Sequence, residues 1–498
     1  MATKPDIQPL LLGLKIRHHR LRKGLSFQEL SRSSGLSVSY LNEIEKGKKN
    51  PKPEKLLHLA KALNIPPQEL QEPTLEGPLK PVEDLLKSNF LREIPFHLFG
   101  IELHKVVDII SQAPKRVSAF ISTLVELARH YSLREENFYF GALRAYLEMH
   151  NNYFEELERE VERFRQEFQI EIRPGQGADP VQKLQGILKH EFGFELVENG
   201  LDPWPELYRV RALCIPHKRQ LLIQSRLNPT QRAFQIGKEL GFQFLQLHQR
   251  AYTASLFKVE SFEHVLSHFK AGYFSAALLM PKSEMTKDIR KFLHAKTFGP
   301  EDLLQWLYRY PATGEMFFQR LTNLLPQAFG LKNIFLIRVL YLPHRKKKGG
   351  IFQVDKELHL DRQHHPHANQ LDEHYCRRWA SIHLIRRQIS EKSKTSLADL
   401  RRVQFYNTRE EYLLLSIARP PYRPKGRLAA IELGILLDKK SRKKFNFPLQ
   451  NIPLTIVNKT CERCPIENCN ERAAAPRLVK EKLERKKMFE RIDQLLKQ

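Results

Sequence analysis

Three cysteines, Cys461, Cys464 and Cys469, fall within nine residues in the segment CERCPIENCNERAAAP, at C-x2-C-x4-C spacing. That spacing brings three thiolates to one point. In a chain without a secretion signal a metal ion or cluster is the usual reason, because intracellular thiols stay reduced and structural disulfides are rare there. Structural zinc and iron–sulfur clusters both take four protein ligands, so a fourth must come from elsewhere in the chain. The alternative is a turn that holds small buried thiols.

A second group of residues sits on a helix-like run, QRAFQIGKELGFQFL. It resembles the active helix of ImmA/IrrE-type zinc peptidases, in which H-E-x-x-H places two histidines one turn apart with a glutamate between them. Here Lys238 stands at the first histidine position, Glu239 matches the glutamate, and Phe242 stands at the second. An ammonium and a phenyl ring cannot hold zinc, and without zinc there is no acidic water for Glu239 to activate. The reading is a surviving helix without the peptidase, and therefore no enzyme. A former active-site cleft can still take a ligand. Arg232, Phe234, Lys238, Glu239, Tyr273 and Phe274, with Met280, are the candidates to line it, against the plainer alternative of core packing.

The elements that must hold these residues belong to a long, basic chain. At 498 residues it should divide into three or four domains. Lys and Arg exceed Asp and Glu by 82 to 56, a surplus of 26 that points to a polyanionic partner. No apolar run approaches ~20 residues, so nothing in it reads as a bilayer span. The opening MATKPDIQPL lacks the apolar core of a signal peptide, and a cytoplasmic, nucleoid-associated protein is expected.

Residues 10–72 carry a five-helix pattern. A basic amphipathic helix runs from Leu10 to Lys23 and stops at Gly24. Ser26 caps a short helix, Phe27 to Ser33, with Glu29 completing a capping box. Gly35 makes the turn, Ser37 caps Val38 to Lys46, and Gly47 ends that helix. Pro53 opens a fourth. Two short helices about a glycine turn form a helix-turn-helix whose second member enters the major groove. Val38, Ser39, Tyr40, Asn42 and Glu43 are the candidates for base edges. Lys46, Lys48 and Lys49 are placed on phosphates of double-stranded DNA, and Gln28 and Ser37 are counted with the DNA-binding set. The string GLSFQELSRSSGLSVSYLNEIEKGKKNPKPEKLLHLAKAL resembles the Cro/C1-type (XRE) repressors over its whole length. Phe27 stands where many of those relatives carry a Gln that touches the DNA backbone, so one phosphate contact is lost.

Beyond a proline-rich linker at 73–81, residues 82–170 read as helical. The stretch from Glu136 to Phe168 has helical periodicity throughout, either as a dimer seam or as a helix packed on its own domain. Residues 310–470 alternate β-rich runs (NIFLIRVLYL, GGIFQV, EYLLLSIA, AAIELGILL and PLTIV) with short helices, which suggests an α+β domain. Its landmarks come in order: GYFSAALLMP, FFQRLTNLL, IFLIRVL, Gly349-Gly350, Cys376-Arg377-Arg378-Trp379, and the cysteine triad. With the XRE-like head, that order resembles the short-chain fatty acyl transcriptional regulator family.

The resemblance implies a bacterial regulator that binds acyl-coenzyme A and, in some members, a [4Fe–4S] cluster. It makes Cys376 the fourth ligand beside Cys461, Cys464 and Cys469, for a [4Fe–4S] cluster or zinc. It also implies a homodimer or higher homo-oligomer. Two departures stand out. A loop with His359, His364, His365, His367 and His374 is inserted before Cys376, either as a second metal-binding cluster or as a polar loop. Extra lysines at 345–348 and 439–444 are solvated surface unless a coenzyme A phosphate uses them. The tail 477–498, with eight Lys and Arg against four Asp and Glu, is either a solvated helix or a second DNA-contacting arm.

The expected architecture is therefore multidomain, mainly α with an α+β C-terminal half. A five-helix, lambda-repressor-like head spans 8–72, a helical connector 82–170, a degenerate zincin-like α+β domain 171–309, and an α+β sensor domain 310–476. The function read from it is ligand-responsive regulation of transcription. A DNA-tethered metallopeptidase and a structural DNA-binding protein with a zinc knuckle are the alternatives.

Overall fold

The structure is a computed structural model that describes residues 8–72, 74, 135–172, 174–175, 180–253, 259–343, 350–359, 373–419 and 427–496. Most of the linker 73–81, the connector up to residue 134, the lysines at 345–348, and His364, His365 and His367 lie outside the described residues. The chain divides into two compact units. One is Met1–Tyr146 with Lys258–Leu266, the other Leu147–Phe257 with Ser267–Gln498.

Five helices open the first unit: α1 Gln8–Arg22, α2 Phe27–Ser34, α3 Val38–Glu45, α4 Pro53–Leu63 and α5 Pro67–Gln71. Their boundaries follow from local chemistry. The Glu29 N–H donates to Ser26 Oγ at 3.2 Å, and the Ser26 N–H donates to Glu29 Oε2 at 2.7 Å. The Tyr40 N–H donates to Ser37 Oγ at 3.2 Å. Each bond satisfies a donor that a helix start leaves without an intrahelical acceptor. Gly35 and Gly47 take φ of 71° and 68°, a region where a Cβ is strained. Helix α3 ends at Glu45, one residue short of expectation, with Lys46 as its C-cap. Leu12, Ile16, Leu30, Leu41, Ile44 and Leu59 form the centre of the core. Lys15 spans that core to donate to Glu69 O and Glu72 O at 2.5 and 2.6 Å, closing the C-terminal end of α5.

The single helix expected over 136–168 is two, α6 Glu135–Met149 and α7 Glu155–Glu167. Asn151 and Asn152 break it by taking φ of 49° and 55°. The side chain of Asn152 is fully buried and donates to Thr322 Oγ1 at 2.8 Å, while its carbonyl accepts from Asn323 Nδ2 at 2.7 Å. The apolar face of α7 packs within its own unit rather than standing free as a dimer seam. Phe164 meets Phe244 and Phe274 edge-on, and Glu158 takes both arms of the buried Arg320 at 2.5 and 2.9 Å.

Helix α8 Pro180–His190 leads into a small sheet of β1 Glu195–Val197, β2 Ala212–Ile215 and β3 Gln220–Ile223. Its order is β1-β3-β2, with β1 parallel and β2 antiparallel to β3. Helix α9 Pro229–Phe244 carries KELGF and opens on a capping box between Asn228 and Gln231. Helices α10 Phe262–Leu279, α11 Lys282–His294, α12 Pro300–Tyr308 and α13 Gly314–Phe329 follow.

The C-terminal half is a six-stranded sheet of β4 Ile334–Leu342, β5 Ile351–His359, β6 Leu397–Phe405, β7 Glu411–Ala418, β8 Leu428–Leu436 and β9 Leu454–Val457. The order is β5-β4-β8-β7-β6-β9; β6 and β9 run parallel and the other described pairs antiparallel. Helix α14 Ala380–Ser390 covers one face, where Ile382 and Ile385 join Phe335, Ile337, Tyr412 and Leu414. Helix α13 lies on the other, with Gly314 so near β7 that a Cβ there would stand 3.3 Å from Ile417. After the short α15 Lys439–Arg442, the chain ends its described part in α16 Arg477–Leu496, which buries none of its residues. Among the described residues no helix is long and apolar enough to cross a membrane. The fold is multidomain, with a helix-turn-helix head and an α+β C-terminal half.

Candidate functional site

The first candidate surface is α3 and the loop after it. Val38 and Ser39 are exposed, as are Gln28, Ser37, Lys48 and Lys49. Tyr40, Asn42, Glu43 and Lys46 are half-buried. Two of the candidates already have intramolecular work: Ser37 caps the helix, and the Tyr40 ring lies 4.3 Å beneath Lys55 Nζ. The exposed set is chemically suited to DNA. The Val38 methyls can meet a thymine methyl, the Ser39 hydroxyl a base edge, and the two lysines phosphates.

What orients α3 is a set of contacts the sequence reading did not single out. Arg20 forks on Glu45, at 2.7 and 2.9 Å, with both side chains buried, and so ties α1 to the last turn of α3. Phe27 lies 4.1 Å under that guanidinium. The residue that departs from the DNA-contacting Gln therefore serves the head from inside. Gly13 lets α1 approach closely, since a Cβ there would stand 2.4 Å from Ile44 O. The signal for these contacts was present only as an unexplained glycine and a buried arginine in a helix otherwise read as amphipathic.

The second candidate, the KELGF helix, is closed by the chain itself. Glu239 is buried and takes both arms of Arg250 at 2.8 and 2.7 Å, and the guanidinium stacks 3.5 Å over the Phe242 ring. The segment bearing Arg250 is clipped to the edge of β2. The Cys214 N–H donates to Tyr252 O at 2.9 Å, and Leu213 bridges Thr253. His268 Nε2 lies 2.7 Å from Ala251 O, an acceptor only, so Nε2 carries the proton and Nδ1 accepts from Lys238 Nζ at 2.9 Å. Burial first, and then the Arg250 charge, push the Lys238 ammonium down to about 7. Burial and the Glu239 charge push the neighbouring Cys214 thiol up to about 12. The void left among these groups is about 10 Å³, no larger than one water needs.

The six residues expected to line one ligand cleft thus do not do so. Lys238 and Glu239 face this small void. Arg232 turns to Glu198, at 3.1 Å, and to the carbonyls of Leu227 and Ser225. Tyr273 donates to Glu158 at 2.6 Å, and Phe274 packs between Phe164, edge-on, and Phe244. Phe234 meets α10 through its carbonyl, which accepts from Ser275 Oγ at 2.9 Å, and the carbonyl of Met280 accepts from Arg320 Nε at 3.0 Å. Motif reading placed these residues by type. The packing of α9 against α7 and α10 sends them to different neighbours.

The third candidate is the cysteine corner. An isolated bridge between Tyr375 and Thr460 lays two distant segments side by side, with the Cys461 N–H donating to His374 O at 2.8 Å and the Cys376 N–H to Lys459 O at 3.2 Å. Cys376, Cys461 and Cys464 are buried, Cys469 is half-buried, and all four thiols are free. Arg472 holds the turn by donating to the carbonyls of Cys461 and Cys464 at 2.9 and 3.1 Å. Burial pushes the Cys376 thiol up to about 11 against the pull of the Asn458 and Arg378 backbone N–H groups, and the nearby Cys461 and Cys464 sulfurs add to the rise. The Ala473 N–H donates to Cys461 Sγ at 3.3 Å. Backbone donors on sulfur are what a thiolate ligand takes from its surroundings, so the donor set suits a soft metal. Among the described residues, however, no three His, Cys, Asp or Glu side chains converge closely enough to hold a metal ion. His374 is turned to Glu462, 2.7 Å from its Nδ1, rather than to the sulfurs.

Comparison with known proteins bears on the first two candidates. The helix-turn-helix family matches residues 16–70, and the IrrE N-terminal-like domain matches residues 192–300. An uncharacterized HTH-type transcriptional regulator, y4dJ, of Sinorhizobium fredii is 40% identical over 68 residues, a match covering 14% of this chain and 88% of that relative. Among solved structures, a Mycobacterium tuberculosis transcriptional regulator aligns with a TM-score of 0.46 at 17% identity, over 67% of this chain and 94% of that one. On the helix-turn-helix match and the relative it covers almost completely, the chain belongs to the HTH-type transcriptional regulators and carries an IrrE-like domain behind its DNA-binding head.

Proposed function

We propose that this DNA-binding regulator reads a specific operator through α3, and that its C-terminal half senses an acyl-coenzyme A, a cysteine-bound metal centre, or both. This is the role of the short-chain fatty acyl transcriptional regulators it resembles. The observation that carries the DNA half is the exposed set on α3, Val38 and Ser39 beside Lys48 and Lys49, held up by a buried Arg20–Glu45 pair. A head this small covers one half-site, so a homodimer on a two-fold operator is the working form. The protein would act in the cytoplasm at the nucleoid. The division of labour is DNA binding in 8–72, connection through 73–170, a peptidase-like support in 171–309, and sensing in 310–476.

The sensing half rests on donor chemistry. Cys376, Cys461, Cys464 and Cys469 would hold either a [4Fe–4S] cluster or zinc, and a cluster would supply a redox- or iron-dependent charge at the edge of the sheet. An effector acts only if it binds the DNA-competent and incompetent states with different affinity. Fluorescence anisotropy with operator and random DNA, with and without acyl-coenzyme A, tests both halves together. Equal affinity for all DNA would remove the specific reading, and indifference to the acyl-coenzyme A would remove that effector. Iron, sulfide and zinc counts on anaerobically purified protein, compared with Cys464→Ser, test the metal centre.

The peptidase alternative lacks support in the site. Glu239 is committed to Arg250, and neither Lys238 nor Phe242 can ligate zinc. Zinc-dependent cleavage that disappears in Glu239→Ala would restore it.

A further inference from the structure

The peptidase-like cleft has no room for a ligand, but a second cavity in the same unit does. It measures about 330 Å³, at the lower end of small-molecule pockets. Its floor is apolar and buried, made by Ile417 on β7 and by Ala429 and Ile431 on β8, with Leu307 of α12 as a wall. Its rim is charged, and the charges do not balance. Arg338 is already engaged, forking on Asp355 at 2.8 and 2.6 Å and reaching Glu315. Lys356 takes the other Glu315 oxygen at 2.8 Å. Arg211 and Arg419 lie within electrostatic reach of the same group, so four cations gather about two carboxylates.

Arg211 and Arg419 are left over, and of the two Arg419 lines the cavity. It lines the cavity at its solvent-facing side, and its guanidinium takes part in no hydrogen bond or ion pair among the described residues. Desolvation, and then repulsion from Arg338, hold its pKa below the ordinary arginine value. A cation in that position is short of counter-charge. The N-terminal ends of α9 and α13 also meet this rim, at Asn228 and Thr313, and their dipoles add to the same sign of potential.

We infer that this cavity binds a small anion, a carboxylate or phosphate carried on an apolar body, with Arg419 as its charge partner and Ile417, Ala429 and Ile431 as the floor beneath the apolar part. A guanidinium fork matches either oxyanion in two parallel hydrogen bonds. A ligand seated there would touch α9, α13 and the six-stranded sheet at once, which is how a small molecule reaches several elements of a sensor. The inference deepens the effector half of the function proposed above and rests on that reading for its regulatory meaning.

Isothermal titration of the full chain with benzoate, phenyl phosphate and benzyl alcohol tests it, because the three share a ring and differ in the head group. Saturable binding is expected for at least one of the two anions, and the tighter of them identifies the head group. Benzyl alcohol should give none. Arg419→Gln should weaken the anion at least tenfold, about 1.4 kcal/mol. Ala429→Leu, which fills the floor and leaves every charge in place, should abolish binding while the melting curve stays near that of the wild type. Absence of saturable binding for both anions, equal affinity in Arg419→Gln, or equal binding of the alcohol overturns the proposal. No DNA enters these readouts, so a failed titration leaves the DNA-binding reading standing, and a failed DNA assay leaves the pocket standing.

Discussion

Two of the buried arginine–glutamate forks among the described residues carry a phenyl ring against the guanidinium, and they serve opposite ends. In the head, Arg20 and Glu45 pair behind α3 and over Phe27, leaving the outer face of that helix open. In the IrrE-like region, Arg250 and Glu239 pair over Phe242 at the position where a peptidase keeps its reactive glutamate. The same three side chains that expose a surface in one place shut it in the other. Where a charge pair sits relative to the working face matters more than its strength.

The largest effect expected from breaking this comparison is the loss of one partner, which leaves a buried charge uncompensated. Arg250→Ala should cost about 3–5 kcal/mol of stability by chemical denaturation, while Arg250→Met with Glu239→Leu should be near neutral. Arg20→Ala should cost a similar amount, but its loss should appear as lost DNA binding, which Arg250→Ala is expected to leave intact. Next in size is the working face itself. Ser39→Ala should reduce discrimination between operator and random DNA by about 1–3 kcal/mol in competition binding; equal losses on both would take Ser39 away from the base edges.

A smaller effect concerns Lys238 beside the second fork. Its folded pKa of about 7 lies below the ordinary lysine value, so the unfolded chain binds more protons above that point. Its contribution to stability is therefore greatest above the unfolded lysine pKa and is lost as pH falls toward 7. Lys238→Met should remove that slope between pH 7 and 10 in urea titrations. The smallest is Lys48→Ala, which should weaken binding to every sequence alike and lower the salt slope by about one phosphate.

The head was legible because its instructions are local. Ser26 and Glu29 are three residues apart, and Gly24, Gly35 and Gly47 each mark a turn by themselves. The fork behind α3 was not legible, since Arg20 and Glu45 meet only after three helices have packed. The same holds for Arg250, whose partner lies 11 residues away on a helix it must fold back to reach. The break at Asn151 and Asn152 carries neither glycine nor proline, and helical periodicity runs through it; its cause, the buried bonds to Thr322 and Asn323, lies about 170 residues on. Strand β6 escaped notice because LADLRRVQF carries Asp399, Arg401 and Arg402 within its alternation, and Asp399 and Arg401 pair with each other at 2.6 Å. Five of the six strands of that sheet were visible as apolar runs.

The bridge between Tyr375 and Thr460 also has a topological consequence. It closes a ring of chain from 375 to 460 that contains α14, β6, β7, β8, α15 and β9, most of the sheet and the helix that covers it. The cysteine corner is the clasp of that ring. A permanent link between Cys376 and Cys461 would bar the unfolded chain from most of its open conformations, a loss of freedom that grows only slowly with the size of the loop. Whatever loosens the corner, such as alkylation of a thiol, weakens the closure of that ring, and strands far from the cysteines would feel it.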